Sequence, residues 1–278
     1  MTQLYNTTTF ECSKLITQHY STSFTLGIKT LHKRFHLPVY AIYGFVRYAD
    51  EIVDSFHAHD KKYLLEKFKQ DTYEAIEQGI SLNPVLHSFQ AVVNQYHIER
   101  ELIDAFLYSM EMDLYEKSYT SEGYQTYIYG SAEVVGLMCL RVFCEGNEEQ
   151  YQQLREPARS LGAAFQKVNF LRDMKSDYID RGRTYFPSVD FQEFDLEAKK
   201  MIEQDIQKDF DHALQGIKQL PKGARLGVYL AYIYYLRLFK KIQLSTPQKI
   251  LKERVRVPDA QKIILLMRTY FQNMIGAV

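Results

Sequence analysis

Tyr43, Arg47, Asp50 and Asp54 follow one another at intervals of three and four residues. On a helix, 100° per residue gathers them onto one narrow stripe, and carboxylates four positions apart, about 6 Å along the axis, can face a common point. Two like charges so placed repel unless a cation compensates them. Arg47 can do this alone, as an i,i+3 surface ion pair worth about a few tenths of a kcal/mol. A bound metal can do it too, and the first stripe by itself does not choose.

A second stripe tilts the choice toward metal. Helical spacing over 161–187 puts Gly162, Gln166, Asn169, Asp173 and Asp177 on one face. Here again two carboxylates stand four apart, with neutral amides one and two turns earlier. Carboxylates on two facing helices supply hard oxygens in the way magnesium prefers, a few carboxylates holding the ion and substrate phosphates completing its shell. An ion held so neutralises a diphosphate leaving group, and the nearby Arg47, Arg172 and Arg183 can grip the same phosphates by bidentate hydrogen bonds.

These stripes need helices to carry them, and the chain reads as helical. Only 13 glycines and 7 prolines occur in 278 residues. The segments Leu64–Gln78, Ile98–Tyr115 and Asp195–Leu220 repeat apolar residues at three-to-four spacing, while strand-like alternation is scarce. Pro38, Pro84, Pro157, Pro221 and Pro258 are expected near helix starts, where the missing N–H costs nothing. The first stripe is thus predicted on a helix over 40–56, beginning after Pro38, with Ile42, Phe45, Val46, Ala49, Ile52 and Val53 facing inward. No Gly/Ser linker, low-complexity tract or internal repeat divides the chain, which predicts one all-α domain over 1–278. The stretch 180–195 is the long loop, of a length that is usually functional.

The stripes together carry a resemblance. Tyr43-x-x-x-Arg47-x-x-Asp50-x-x-x-Asp54, with Gln166-x-x-Asn169-x-x-Arg172-Asp173-x-x-x-Asp177 and Arg183-x-Tyr185, resembles the squalene/phytoene synthase family, and the likeness runs from Ser21-Thr22-Ser23-Phe24 to Arg254-Val255-Arg256-Val257-Pro258 and Lys262. One departure is visible: many relatives carry a basic residue where this chain has Thr22, so one phosphate contact is missing or supplied elsewhere. The resemblance implies a type I isoprenoid-synthase bundle with a central cavity capped by the two aspartate helices. It implies head-to-head joining of two prenyl diphosphates, with magnesium, or alternatively manganese, on Asp50, Asp54, Asn169, Asp173 and Asp177. Substrate contacts fall on Ser21, Ser23, Phe24, Arg47, Tyr127, Gln166, Asn169, Arg172, Arg183, Tyr185, Arg254 and Lys262. Tyr43 and Tyr235 join the aspartates as catalytic candidates, since aromatic faces attract cations by about 0.5 to 2 kcal/mol. Tyr127 and Tyr129 match a helix that lines the family's cavity. Gly130, Ala132, Gly136, Gly162 and Ala163 either leave room for a prenyl tail or let helices pack closely. Within the family the Arg183–Pro187 and Arg254–Pro258 segments look closest to bacterial phytoene synthases acting on two geranylgeranyl diphosphates. Farnesyl-using squalene, dehydrosqualene or hydroxysqualene synthases are the alternative, and a non-catalytic assembly protein is the reading from another class. Such a protein should have lost metal-binding aspartates, and all four stand here.

Composition excludes other classes. The 34 basic and 34 acidic residues cancel, so no global field draws the chain to nucleic acid. Cys12, Cys139 and Cys144 make neither a disulfide framework nor a thiolate zinc site. His57 and His59, two apart, point to different faces. Lys61-Lys62 and Lys199-Lys200 read as solvated helix faces. No Gly-x-Gly-x-x-Gly fingerprint signals a nicotinamide, so NADPH is not expected. The polar N-terminus lacks signal-peptide features, and the uncharged apolar run Leu226–Leu236 falls short of the roughly 20 residues that span a bilayer. A cytoplasmic location follows, with peripheral membrane contact for product release and the oligomeric state left open.

Overall fold

The computed structural model describes residues 2–116, 118–187 and 194–256, with the side chains of residues 180 and 181 excepted. In chain order the helices are α1 (Thr2–Tyr20), α2 (Thr22–Thr30), α3 (Lys33–Ser55), α4 (Lys61–Gln78), α5 (Pro84–Tyr96), α6 (Arg100–Tyr115), α7 (Ser121–Ile128), a π-helical segment (Tyr129–Glu133), α8 (Val134–Cys144), α9 (Glu148–Arg181), α10 (Leu196–Ile217), α11 (Lys222–Gln243) and α12 (Pro247–Lys252). Among the described residues no strand occurs, only one isolated parallel bridge between Ser118 and Thr184.

Side chains mark many of the helix starts. Ser21, Asp60, Thr120, Asn147, Asp195 and Thr246 each accept a backbone N–H of the following turn, which satisfies donors that the helix itself leaves open. Pro84 stands in the first turn of α5 as expected. Pro38 and Pro157 do not: both lie inside helices, so α3 starts at Lys33 and α9 runs 34 residues through its proline. The Pro157 ring packs closely on α10, where a Cβ on Gly216 would sit 2.3 Å from the Pro157 Cβ.

The core fills the centre of the bundle, with Phe45 stacked on Phe89 at 3.8 Å between ring centroids and Phe106 against the same ring. Helix α3 packs on α1, α5, α8 and α6; α9 packs on α10, α8 and the π segment. The two aspartate helices therefore share α8 as a neighbour. Small residues set these approaches: a Cβ on Gly162 would lie 2.7 Å from the Ala132 carbonyl oxygen, one on Gly130 2.4 Å from that of Ala105, and one on Gly136 3.1 Å from that of Ala158. Of the two readings of these glycines, close helix packing is the one realised.

Two surface readings change. Lys199 is only 2% exposed, its ammonium bonded to Glu203 and to the Gln243 carbonyl. Lys61 turns back to cap α3 through the Val53 carbonyl at 2.8 Å. The cysteines are free. By length and composition the continuous helical stretch Ser121–Cys144 is long and apolar enough to cross a membrane, a length that counting uncharged residues alone did not reveal. Here 61% of its apolar window is buried inside the bundle, with Glu133 paired to Arg159 in its middle.

Candidate active site

The first stripe forms as spaced. Tyr43, Arg47, Asp50 and Asp54 lie half-buried along α3 beside the apolar arc. Arg47 bonds Glu51, one turn on, lies 3.9 Å from Asp50 and stacks its guanidinium on the Tyr20 ring at 4.4 Å. Burial works against the Glu51 charge, yet the Arg47 hydrogen bond holds its carboxyl below the usual range. Burial raises the Tyr43 phenol, with Arg47 and the Ser21 hydroxyl partly offsetting it. Phe24 packs on Tyr43 at 5.4 Å, and Ser21 caps α2 through the Phe24 N–H at 3.2 Å. A close approach holds α2 against α11, where a Cβ on Gly227 would stand 2.9 Å from the Gly27 carbonyl oxygen. Ser23, one residue before Phe24, is half-buried on α2.

The second stripe also forms. Asn169 donates to Gln166 Oε1 at 3.4 Å, Gln166 donates to Ser131 at 3.3 Å, and Tyr235 of α11 donates to Asn169 Oδ1 at 3.3 Å while its ring stacks on Phe165 at 3.9 Å. Asp173 is held by Arg172 at 2.5 Å and by Arg254 at 2.7 Å. Burial opposes the Arg172 charge and the Asp173 carboxylate more than compensates, so its pKa is raised. Asp177 is 6% exposed and lines, with Phe170, Met174, Arg183 and Phe186, a small cavity of about 20 Å³.

The chain then reverses at Gly182, whose φ of +64° suits glycine. Its N–H bonds the Tyr178 carbonyl at 3.1 Å, and the Arg183 N–H bonds the Asp177 carbonyl at 2.9 Å. The Gly182 bond is the single closure of an αL cap, and the Arg183 bond reaches one residue further back. The cap ends α9 at Arg181 rather than near residue 180 and sends Arg183 back toward α3. Arg183 Nη1 lies 3.8 Å from Asp54 and 2.9 Å from Asp113 of α6. Burial disfavours the guanidinium charge, but the Asp113 carboxylate keeps it firmly protonated, above the ordinary arginine value. The Ser118–Thr184 bridge holds this turn beside the segment that follows α6.

Several aromatic expectations are redistributed. Tyr127 is buried at Asp113, donating its hydroxyl at 2.9 Å, in a panel with Tyr119, Tyr185 and Phe170 rather than beside Tyr235. Tyr129 lies under Arg159 at 5.3 Å. Tyr185 stacks on Phe170 at 4.0 Å. Burial pushes the phenols of Tyr119, Tyr127 and Tyr185 well up, so all three stay neutral. Lys262 and Pro258 lie outside the described residues. Sequence reasoning missed Asp113, although an acid at helical spacing from the buried Phe106 and Met110 was a readable sign.

The donor chemistry fits a hard divalent cation: carboxylates and one carboxamide, all oxygen ligands. Among the described residues no group of three His, Cys, Asp or Glu side chains converges as a ready metal cage. Magnesium needs none, because it is commonly held by one or two carboxylates with phosphates and water completing its octahedron.

Residues 17–261 match the squalene/phytoene synthase family. The chain is 26% identical to a phytoene synthase of Arthrospira platensis, over 92% of this chain and 91% of that protein, and 26% identical to a 15-cis-phytoene synthase of Synechocystis sp., over 92% and 83%. It is 27% identical to a 4,4'-diapophytoene synthase of Staphylococcus haemolyticus, over 68% and 66%. Its fold matches that of a dehydrosqualene synthase solved with ligand, with a TM-score of 0.81 at 22% identity over 98% of each chain. It also matches that of a squalene synthase from Alicyclobacillus acidocaldarius, with a TM-score of 0.74 at 18% identity over 87% and 95%.

Proposed function

The chain belongs to the squalene/phytoene synthase family, and we propose that it is a prenyltransferase that joins two geranylgeranyl diphosphates head to head to make phytoene, through one domain over 1–278. The observation that carries this reading is the junction at Arg183, which meets Asp54 of the first stripe from the turn that closes on Asp177 of the second. A guanidinium fixed at the end of the second stripe thus stands beside a carboxylate of the first, which suits a diphosphate.

Asp50, Asp54, Asp173, Asp177 and Asn169 would hold magnesium, or manganese in its place. When bound, the metal supplies the positive charge that neutralises the diphosphate leaving group. Arg47, Arg172, Arg183 and Arg254 bind phosphate oxygens, and Arg47, Arg172 and Arg254 exchange their carboxylate partners for them, as planar guanidinium forks favour. Ser21 and Ser23 are further phosphate contacts in this reading, and Lys262 is one by resemblance alone. The C1 cation of one substrate attacks the double bond of the second, and loss of a proton closes a cyclopropylcarbinyl diphosphate. A second ionisation with rearrangement, then a last proton loss, gives the forty-carbon product. Tyr43 and Tyr235 turn aromatic faces to the cation, with Phe24 packed behind Tyr43. Tyr127, Tyr185, Gln166 and Asn169 shape the wall, and apolar packing excludes water.

The farnesyl reading has a specific support in the likeness to the 4,4'-diapophytoene synthase. Incubation with geranylgeranyl and farnesyl diphosphate separately, with magnesium and with or without NADPH, tests both. Phytoene from the longer substrate, with NADPH changing neither rate nor product, is expected. Preference for farnesyl diphosphate, or a saturated centre with NADPH, moves the assignment to the shorter-chain alternative.

A further inference from the structure

Asp113 lies outside both stripes, on α6, and is 8% exposed. Its two carboxylate oxygens have separate duties: Oδ1 pairs with Arg183 Nη1 at 2.9 Å, and Oδ2 accepts the Tyr127 hydroxyl at 2.9 Å. Its backbone carbonyl accepts from Arg183 Nη2. One residue thus holds both ends of the guanidinium fork. Tyr127 in turn is fixed among Tyr119, Tyr185 and Phe170, so the carboxylate cannot rotate away without breaking that packing. The next carboxylate along Nη1 is Asp54, at 3.8 Å.

A buried ion pair is by itself weak evidence for stability, because apolar replacements of both partners are often as stable. The geometry points to a different use. We infer that Asp113 is a positioning residue: it holds Arg183 at the aspartate mouth and keeps that guanidinium from collapsing onto Asp54. This rests on reading the mouth as a magnesium-diphosphate site. With Asp113 in place, Arg183 is turned toward an incoming phosphate while Asp54 retains charge for the cation. Without that anchor, Asp54 becomes the nearest partner, and one metal-binding charge and one phosphate-binding charge cancel each other.

The test is calorimetric binding of inorganic pyrophosphate in saturating magnesium to the folded protein, alongside KM and kcat with prenyl diphosphate. Asp113→Asn keeps size and loses charge. Its pyrophosphate affinity is expected to fall at least tenfold and KM to rise, with kcat less affected, and Asp113→Glu should recover part of the loss. In an Arg183→Met background, Asp113→Asn should add nothing, since the residue acts through that arginine. The double variant removes both members of the pair and so leaves no buried charge orphaned, which protects folding. Additive losses in the double variant, or an Asp113→Asn affinity within twofold of the parent, overturn the inference alone. A parent protein that binds no magnesium pyrophosphate overturns the site reading and the inference with it.

Discussion

Arg254 reaches back across 81 positions of chain to place its Nε 2.7 Å from the Asp173 carboxylate, which also accepts Arg172. An acid on the second stripe is therefore compensated by two guanidinia. Spacing alone suggested repulsion between neighbouring carboxylates; the fold answers it with arginines supplied from the same helix and from beyond α12.

Asp173→Asn and Asp50→Asn should each lower turnover by about two to three orders of magnitude, the scale of removing one electrostatic stabiliser from an active site. Folding should survive. Asp173→Asn forfeits two ion pairs at a partly exposed mouth, so its stability should drop by no more than about 2 kcal/mol, about 1 kcal/mol for each pair. Near-parental activity in both variants, measured on protein with native circular dichroism, would remove the two-stripe site.

For Arg47, the discriminating change is to lysine. The charge stays, but the planar fork that bonds Glu51 and stacks on Tyr20 is lost. The expected outcome is about a tenfold fall in kcat/KM, seen mainly in KM, with little change in unfolding midpoint. Unchanged kinetics would make Arg47 only the ion-pair partner of Glu51.

Much of this site was legible because both stripes are local: residues three and four apart share a helix face whatever the tertiary fold. The helix class and the helix start at Pro84 were readable for the same reason. Helix starts at Pro38 and Pro157 were not, because tertiary packing of a long helix can outweigh the hydrogen bond that an interior proline forfeits, and Gly216, which meets the Pro157 ring, lies far along the chain. The burial of Lys199 was hidden likewise by its partner at Gln243. Asp113 escaped because its partners, Tyr127 and Arg183, stand 14 and 70 positions away.

Gly162→Ala probes the contact that sets α9 against the π segment. The added methyl would lie 2.7 Å from the Ala132 carbonyl oxygen and 2.9 Å from the Glu133 Cα, both backbone atoms that cannot rotate aside. Overpacking of this kind costs about 1–3 kcal/mol, more than alanine returns in helix propensity, about 1 kcal/mol. A lower thermal midpoint is expected. An unchanged or higher midpoint would mean that the helices can separate at this point without loss.

Glu133 supplies a pH dependence whose sign can be worked out. Burial raises its pKa above 4.5, and the Arg159 hydrogen bond at 2.7 Å only partly opposes this. Between 4.5 and the higher folded value, the folded chain binds more protons than the unfolded chain, so stability falls as pH rises through that window. Above the folded value the penalty is complete, and below 4.5 it is absent. Glu133→Gln mimics the protonated side chain at every pH, and Arg159 keeps Glu156 at 3.0 Å as a partner. The variant should therefore unfold at a higher temperature than the parent at pH 7, and the gap should close as the buffer is taken down to pH 4. A variant less stable than the parent at pH 7 would show that the Arg159 pairing outweighs the cost of burying the carboxylate, and would reverse the sign assigned to this group.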